Sequence, residues 1–296
     1  MFEEFKSAFN RPNNSHAQLI IINVVVFLAL ATVYVFSTVG GFEKVFLAVH
    51  DQFSIPPKLG DFILRPWTII TYAFAHSLTD IFHILFNMLA LYWFGKLFIE
   101  YLGGDKLIAV YVLGGLAGGL VYLLMFNTIP FFVQRSEFSG MVGASAAVFA
   151  VMVATATLLP NYTFFLLFLG PVRIKYIAAF YIVISFIGSV GPNAGGNLAH
   201  LGGALMGYVY TRQLQVGVNW GQWITSVIDW FRTLFQPRSK VKVTYRNEEA
   251  RKKPGSGAFA KASQEEIDAI LDKISDKGYE SLTKEEKEKL FNASKK

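Results

Sequence analysis

Long apolar runs separated by short polar segments dominate the first 214 residues of the chain. Each run is close to the ~20 residues that an α-helix needs to cross a bilayer. The six runs are residues 18–39, 81–102, 106–126, 140–159, 174–190 and 197–214. The pattern therefore predicts an all-α polytopic membrane protein in which residues 18–214 form one bundle of six transmembrane helices.

Two segments near the N-terminus lie outside the apolar runs. Residues 1–17 are polar and are predicted to be a short N-terminal segment on one side of the membrane. Residues 40–82 connect the first two spans and are rich in proline and aromatic residues. Aromatic side chains favour the membrane–water interface. We therefore expect this long loop to lie partly in the interface.

Three further segments are predicted after the last span. Residues 219–235 carry apolar groups at helical spacing, with charges that interrupt the run, which is typical of a helix lying in the interface. Residues 236–261 are a basic linker, and residues 262–296, here called the tail, are predicted to be a helical hairpin. Its helices would begin at capping boxes formed by Ser263 with Glu266 and by Thr283 with Glu286, and Gly278 would end the first. The apolar side chains expected to bury one another are Ile267, Ile270, Leu271, Ile274, Leu290 and Phe291. The sequence names no partner for the tail.

Composition supports the membrane class. Of the 296 residues, 53% are hydrophobic and 16% are charged, and the mean hydropathy is +0.40, whereas soluble domains carry about 25% charged residues. The chain has no cysteine, which excludes a thiolate site and a disulfide. Residues 237–296 hold 15 Lys and Arg against 11 Asp and Glu, so +4 of the formal +6 charge lies there. Nothing in this basic segment resembles a nucleic-acid-binding module.

The distribution of basic residues predicts an orientation. An even number of spans places both termini on the same side, and Lys and Arg are more frequent in the segments on that side. We therefore expect an integral protein of a bacterial inner membrane, with both termini and the tail in the cytoplasm. Spans 2, 4 and 6 then run inward from the outer face.

Four polar residues lie near the starts of these three parallel spans: His83, Asn87, Ser145 and His200. With a helix beginning at residue 140, Ser145 would lie roughly 6–8 Å inside its start, within reach of water from the outer face. A histidine inside a membrane span is costly unless it has a function. His200 is therefore a candidate base for Ser145, and together they form the minimum of an activated nucleophile.

The neighbours of this pair suit acyl transfer. The backbone N–H of Ser145 and the side chains of His83 and Asn87 are candidate donors for an oxyanion, and Phe149, one turn after Ser145, is placed to stack on the imidazole. No Asp or Glu occurs in spans 3 to 6, which predicts a Ser–His dyad without an acidic third member.

Small residues support the same arrangement. Gly203 and Gly207 share a face of the last span with His200 and would let it press against the span of Ser145. We expect no metal and no cofactor. His76, in the loop before the second span, is predicted to be a structural hydrogen bonder.

Three short motifs carry a resemblance to a known family: HILFN at 83–87, GASA at 143–146 and AHLGGALMG at 199–207. In this combination and order, residues 18–214 resemble the rhomboid family of intramembrane serine proteases. The resemblance implies a six-helix bundle, with Ser145 as nucleophile and His200 as base.

The resemblance also implies an oxyanion site built by Ser145, His83 and Asn87, with Gly143 supporting the turn. It further implies a first loop half embedded in the membrane and a fifth span that acts as a lateral gate for substrates. The family usually has glycine after the serine, where this chain has Ala146, and we expect activity to survive the difference.

The sequence thus favours an intramembrane serine endopeptidase that needs no cofactor and cuts transmembrane segments of membrane proteins near the outer boundary. One alternative is a catalytically inactive rhomboid-like protein that binds or escorts clients, although such a role requires neither Ser145 nor His200. A second alternative is a transporter, which would show polar groups at mid-depth and broken helices in two related halves. Neither feature is apparent.

Overall fold

The computed structural model describes residues 14–136, 140–166, 168–235 and 264–294, except the side chains of residues 232 and 235. The chain divides into two compact units at residue 237. The helices of the first unit are α1 (Ser15–Val39), α2 (Glu43–His50), α3 (Leu59–Leu64), α4 (Thr68–Thr71), α5 (Ile81–Leu102), α6 (Gly104–Thr128), α7 (Pro130–Val133), α8 (Ser145–Leu158), α9 (Ile174–Gly188), α10 (Ala194–Gln215) and α11 (Gln222–Phe235). A 3₁₀ turn covers Tyr72–Phe74, and an antiparallel hairpin of β1 (Thr163–Leu166) and β2 (Gly170–Arg173) precedes α9, with Thr163 opposite Arg173. The predicted linker at 236–261 lies outside the described residues.

Three of the described helices are long and apolar enough to cross a membrane: α1, α5 and α6. Helices α8 and α9 are apolar but shorter, with 14 and 15 residues. The predicted helix at 81–102 is found with those bounds, because Asp80 caps its first turn and Gly103 ends it. The structure is thus a mostly helical membrane domain, while a count of six crossings remains a prediction.

The first loop is folded, with three short helices and a 3₁₀ turn where the sequence predicted no regular structure. It is fastened by the hydroxyl of Thr71, which donates to the Gln52 carbonyl at 2.6 Å, and by the buried Tyr72, whose hydroxyl donates to the Gly115 carbonyl of α6. A backbone bridge also joins Ile55 to Met141. The loop therefore anchors the segment that leads into α8.

Helix α8 is the centre of the bundle, with 11 of its 14 residues buried. It packs mainly on α10 and α6. A Cβ added at Gly203 of α10 would lie 2.1 Å from the Ala146 carbonyl oxygen, and one at Gly207 would lie 2.2 Å from that of Ala150. Only glycine allows the two backbones to approach this closely, so the predicted small-residue face of α10 does meet α8.

Helix α8 begins five residues later than the predicted span 140–159. Met141 is paired with Ile55 through two backbone hydrogen bonds of 2.9 and 3.0 Å, and the Gly143 N–H donates to the Tyr72 carbonyl. Gly143 has a φ of 146°, which ordinary residues rarely adopt and which cannot continue a helix. Ser145 is consequently the first residue of its helix, and the expectation that it lies 6–8 Å inside was wrong.

Helix α9 is held to the bundle by few side chains. Only Ile174, Ala178 and Ser185 are buried. Its other faces carry large exposed apolar groups such as Phe180 and Phe186. This distribution suits a helix with most of its circumference in lipid.

Helix α11 is amphipathic, as predicted for residues 219–235, and begins at Gln222. The Asn219 side chain organises the preceding turn by accepting hydrogen bonds from the Tyr210 hydroxyl at 2.9 Å and the Gly221 N–H at 3.0 Å. Ile224 is buried, whereas Trp223 and Trp230 are exposed. Exposed tryptophans on one apolar face are typical of a helix in the membrane interface.

The tail contains α12 (Gln264–Lys277), a 3₁₀ turn at Tyr279–Ser281 and α13 (Lys284–Ala293). Gly278 follows α12 with a φ of 76°, and the predicted capping box of Thr283 and Glu286 is present; Ser263 of the other box lies outside the described residues. The expectation that all six apolar side chains bury one another was wrong, since Leu271 and Phe291 are exposed. Two short helices can cover only one face of each other. Of the six, Ile270 is fully buried, and it is joined by Leu282 from the connection between the helices.

Glu286 also makes an ion pair with Lys273 at 2.8 Å, which links α13 to α12. This hydrogen bond, with help from the Thr283 N–H, lowers the pKa of Glu286 from 4.5 to about 2. A lowered folded-state pKa stabilises the folded form above the ordinary pKa, so the contribution is complete above about pH 4.5 and is lost as the pH falls through about 2. We expect Lys273→Ala to move the titration of Glu286 back toward 4.5, measured by ¹³C NMR of the labelled carboxyl group in the full chain; an unchanged midpoint would exclude the pair as the cause.

Candidate active site

Ser145 and His200 meet where the N-terminal ends of α8 and α10 come together. The Ser145 Oγ lies 2.7 Å from the His200 Nε2. The contact follows from the packing described above, because Gly203, one turn after His200, rests on the carbonyl of Ala146. At this distance the hydroxyl can donate its proton directly to the imidazole.

The His200 ring is also fixed on its face and at its second nitrogen. Phe149 stacks on it with ring centroids 4.1 Å apart and planes 11° apart, at the place anticipated from its spacing after Ser145. The Nδ1 lies 3.1 Å from the Ser185 Oγ of α9. Ser185 was missed by the sequence analysis, although it is the one serine within helix α9.

His83 and Asn87 lie on the first two turns of α5. Asp80 caps this helix, since its Oδ1 accepts from the backbone N–H groups of Phe82 and His83 at 3.1 and 3.2 Å. Asn87 is buried, and its amide nitrogen has no hydrogen-bond partner among the described residues. A buried donor without a partner costs free energy. The Asn87 amide is therefore available to donate to an acceptor that the substrate supplies.

Gly143 lies between these two groups of residues. A Cβ at this position would be 3.4 Å from both the His83 Cε1 and the Ser145 Oγ. These are ordinary contact distances, so the requirement for glycine comes from its φ of 146°, which other residues rarely adopt. The structure thus brings His83 and Ser145 close to the same point beside Gly143.

His76 is buried beside His83, with ring centroids 5.5 Å apart. Burial, and secondarily His83, lowers the pKa of His76 to about 4, so its ring is neutral near pH 7. Neither ring nitrogen has a hydrogen-bond partner among the described residues. The expectation that His76 is a structural hydrogen bonder was therefore wrong, and its contact with the site is through the edge and face of two rings.

A cavity of about 820 Å³ opens above Ser145. Its lining includes His83, Met141 and residues 190–196, which are the turn after α9 and the first residues of α10. Asp80 and Arg135 bring one charge of each sign to its wall. Among the described residues, no group of three or more His, Asp or Glu side chains is arranged to hold a metal ion.

Comparison with known families assigns the chain to one of them. The model of the Rhomboid domain matches residues 64–215, which is more than half of the chain. The chain belongs to the rhomboid family. The matched segment of this rhomboid includes all five of His83, Asn87, Gly143, Ser145 and His200. A second model, described as a family of unknown function (DUF6576), matches residues 260–296 and thus the tail.

Two curated relatives are similar to about half of the chain. RHOMBOID-like protein 12, mitochondrial, from Arabidopsis thaliana is 35% identical over 163 residues, covering 52% of this chain and 48% of the relative. Rhomboid protein 1, mitochondrial, from Saccharomyces cerevisiae is 31% identical over 159 residues, covering 51% and 42%. The chain spans about half the length of the curated relatives it matches.

The names of these relatives contradict the expected location. Both are described as mitochondrial, so the expectation of a bacterial inner membrane was wrong. The positive charge bias predicts only the orientation of the spans in a membrane, and it carries no information on which organelle or cell that membrane belongs to. The expectation that the termini and the tail lie in a bacterial cytoplasm was wrong for the same reason.

Ala146, the residue after Ser145 in this rhomboid, is accommodated by a glycine on the neighbouring helix. The methyl group of Ala146 occupies the space in front of Gly118 of α6, where an added Cβ would lie 2.6 Å from it. Ala146 is almost completely buried. The alanine therefore takes up room that a glycine on the facing helix leaves open, without moving Ser145 away from His200.

Proposed function

We propose that this rhomboid is an intramembrane serine endopeptidase that uses Ser145 as nucleophile and His200 as general base and acid. The observation that carries the proposal is the 2.7 Å contact between the Ser145 Oγ and the His200 Nε2. A role in binding or escorting clients requires no such contact, whereas activation of a hydroxyl does.

In the proposed first step, the His200 Nε2 takes the Ser145 proton as Oγ attacks the scissile carbonyl carbon. The resulting tetrahedral intermediate carries its negative charge on the former carbonyl oxygen. The backbone N–H of Ser145 is a fitting donor, because the first residue of a helix has no acceptor within that helix. The amide of Asn87 and the ring of His83 are the proposed second and third donors.

The proposed intermediate collapses when His200 returns the proton to the leaving amine, which departs with the C-terminal part of the substrate. The remaining acyl group is esterified to Ser145. A water molecule then gives a proton to His200 and attacks the ester carbonyl, which releases the new carboxylate and restores the hydroxyl. The cavity above Ser145 provides the access for this water. Gly143 forms the turn that leads into the helix of Ser145, and Phe149, Gly203 and Gly207 hold the imidazole and its helix in place.

We further propose that α1, α5, α6, α8, α9 and α10 all cross the bilayer, which puts the starts of α5, α8 and α10 near the same membrane surface. Substrates would be single transmembrane helices cut close to this surface, where small or helix-breaking residues let the backbone unwind. The exposed apolar faces of α9 and its few buried side chains support entry beside this helix from the lipid.

Reconstitution of the full chain in liposomes with a single-span substrate tests the proposal. Mass spectrometry of the fragments is expected to place the cut within or just beside the transmembrane segment. A folded protein that binds the substrate without cutting it would instead identify an inactive family member that escorts clients.

Asn87→Ala is expected to lower kcat about 10- to 100-fold while leaving KM nearly unchanged, because the lost donor acts mainly on the charge that develops in the transition state. Asn23→Ala is the matched control. Asn23 is also buried, but its amide already donates to the Leu19 carbonyl and to the Tyr111 hydroxyl. The control should lower thermal stability and leave kcat unchanged, and a rise confined to KM in Asn87→Ala would remove Asn87 from the oxyanion site.

A further inference from the structure

The hydroxyl of Ser185 brings α9 within hydrogen-bond distance of the proposed base, His200. Ser185 is 2% exposed, and its Oγ lies 3.1 Å from the His200 Nδ1. No Asp or Glu occurs in α8, α9 or α10. In this part of the structure, the partner of Nδ1 is thus a neutral hydroxyl on a neighbouring helix.

The contact has consequences for the protonation state of His200. A neutral imidazole carries its hydrogen on one nitrogen and accepts on the other. To accept the Ser145 proton, Nε2 must be bare, so the hydrogen must sit on Nδ1, where Ser185 Oγ is the acceptor. Without that acceptor, a buried Nδ1–H would be unsatisfied, and the ring would shift toward the Nε2–H form, which cannot act as a base.

A second contact from the same face of α9 reaches the ring indirectly. Tyr181 lies one turn before Ser185 and meets Phe149 edge to face, with centroids 6.0 Å apart. Phe149 in turn stacks on His200. The imidazole is therefore steadied twice by α9, once at Nδ1 and once through Phe149, although this helix is otherwise weakly packed.

We propose that Ser185 is a positioning residue that fixes the tautomer of His200, so that the base is correctly set only while α9 is packed against the bundle. The proposal rests on the proposed protease function and deepens it. Outward displacement of α9 separates Ser185 from Nδ1. Chemistry therefore requires α9 to return to its packed position after a substrate has passed.

Kinetics give the first test. In the full-length protein, Ser185→Ala is expected to lower both kcat and the rate of Ser145 labelling by a fluorophosphonate about tenfold, with KM unchanged. Ser185→Thr, which keeps a hydroxyl, should restore most of the rate. Ser189→Ala is the matched control, because Ser189 is also buried near the end of α9 but donates to the Phe186 carbonyl at 2.7 Å.

The tautomer gives a readout that does not depend on protease activity. The chain has five histidines, and ¹⁵N NMR of the labelled rings, with His200→Ala for assignment, reports which nitrogen of His200 carries the hydrogen. We expect hydrogen on Nδ1 in the wild type and in Ser185→Thr, and a shift toward Nε2 in Ser185→Ala. An unchanged tautomer and labelling rate in Ser185→Ala would overturn the proposal. A wild-type protein that shows the Nδ1–H form but never reacts with the probe would overturn the protease assignment alone.

Discussion

Replacement of Ser145 by alanine is expected to lower kcat/KM for a transmembrane substrate by at least about 10⁴-fold, because the remaining groups cannot form the acyl-enzyme. His200→Ala should have an effect of similar size, since a serine hydroxyl without a base stays protonated. The double variant should be no worse than either single one. Residues that act as a unit lose their joint contribution at the first substitution.

A matched control separates this effect from damage to α8. Thr157 lies on the same helix, and its hydroxyl donates to the Val153 carbonyl of that helix at 2.7 Å. Thr157→Ala should leave kcat/KM within about twofold and should melt close to the wild type. A Ser145→Ala protein that is folded and still cuts at the same site would show that another residue is the nucleophile.

Gly203→Ala is expected to have the largest effect on stability. Its new methyl group would lie 2.1 Å from the Ala146 carbonyl oxygen, a backbone atom that cannot rotate away. Relief requires α10 to move off α8, and overpacking of this kind costs about 1–3 kcal/mol or more in the free energy of unfolding. Because His200 lies one turn earlier on α10, the same movement should lengthen its contact with Ser145 and lower activity in the fraction that folds.

The control for Gly203→Ala is Gly60→Ala. Gly60 lies in helix α3 with open space around an added Cβ, so alanine there should be neutral or stabilising by less than about 1 kcal/mol. Unfolding by a denaturing detergent, followed by tryptophan fluorescence, compares the two. Equal stability of both variants would mean that α8 and α10 do not approach each other as closely as described.

The helical framework was predictable from the sequence where local signals and long-range packing agree. The bounds of α5 follow from Asp80, which caps it, and Gly103, which ends it. The start of α8 was not predictable in the same way. Residues 140–144 carry no charge, like the helix that follows. The helix does not begin at residue 140 because Met141 is paired with Ile55, from a loop far away in sequence.

The candidate site also contains some contacts that the sequence predicted and others that depend on long-range packing. Ser145 and His200 could be predicted from their chemistry and Phe149 from its spacing after Ser145, and the structure brings the three side chains together. The contact of Ser185 with His200 was missed, because a lone serine in an apolar run is most simply explained by packing. The edge-to-face contact of His76 with His83 also depends on how the first loop folds onto α5.

Reaction of the purified full-length protein with a fluorophosphonate probe, followed by peptide mapping, tests the central claim most directly because it needs no knowledge of the substrate. The account predicts a single covalent adduct on Ser145, which is lost in His200→Ala although the protein remains folded. A folded wild-type protein with no adduct at Ser145, or with an equal yield of adduct in His200→Ala, would contradict the claim that His200 activates Ser145.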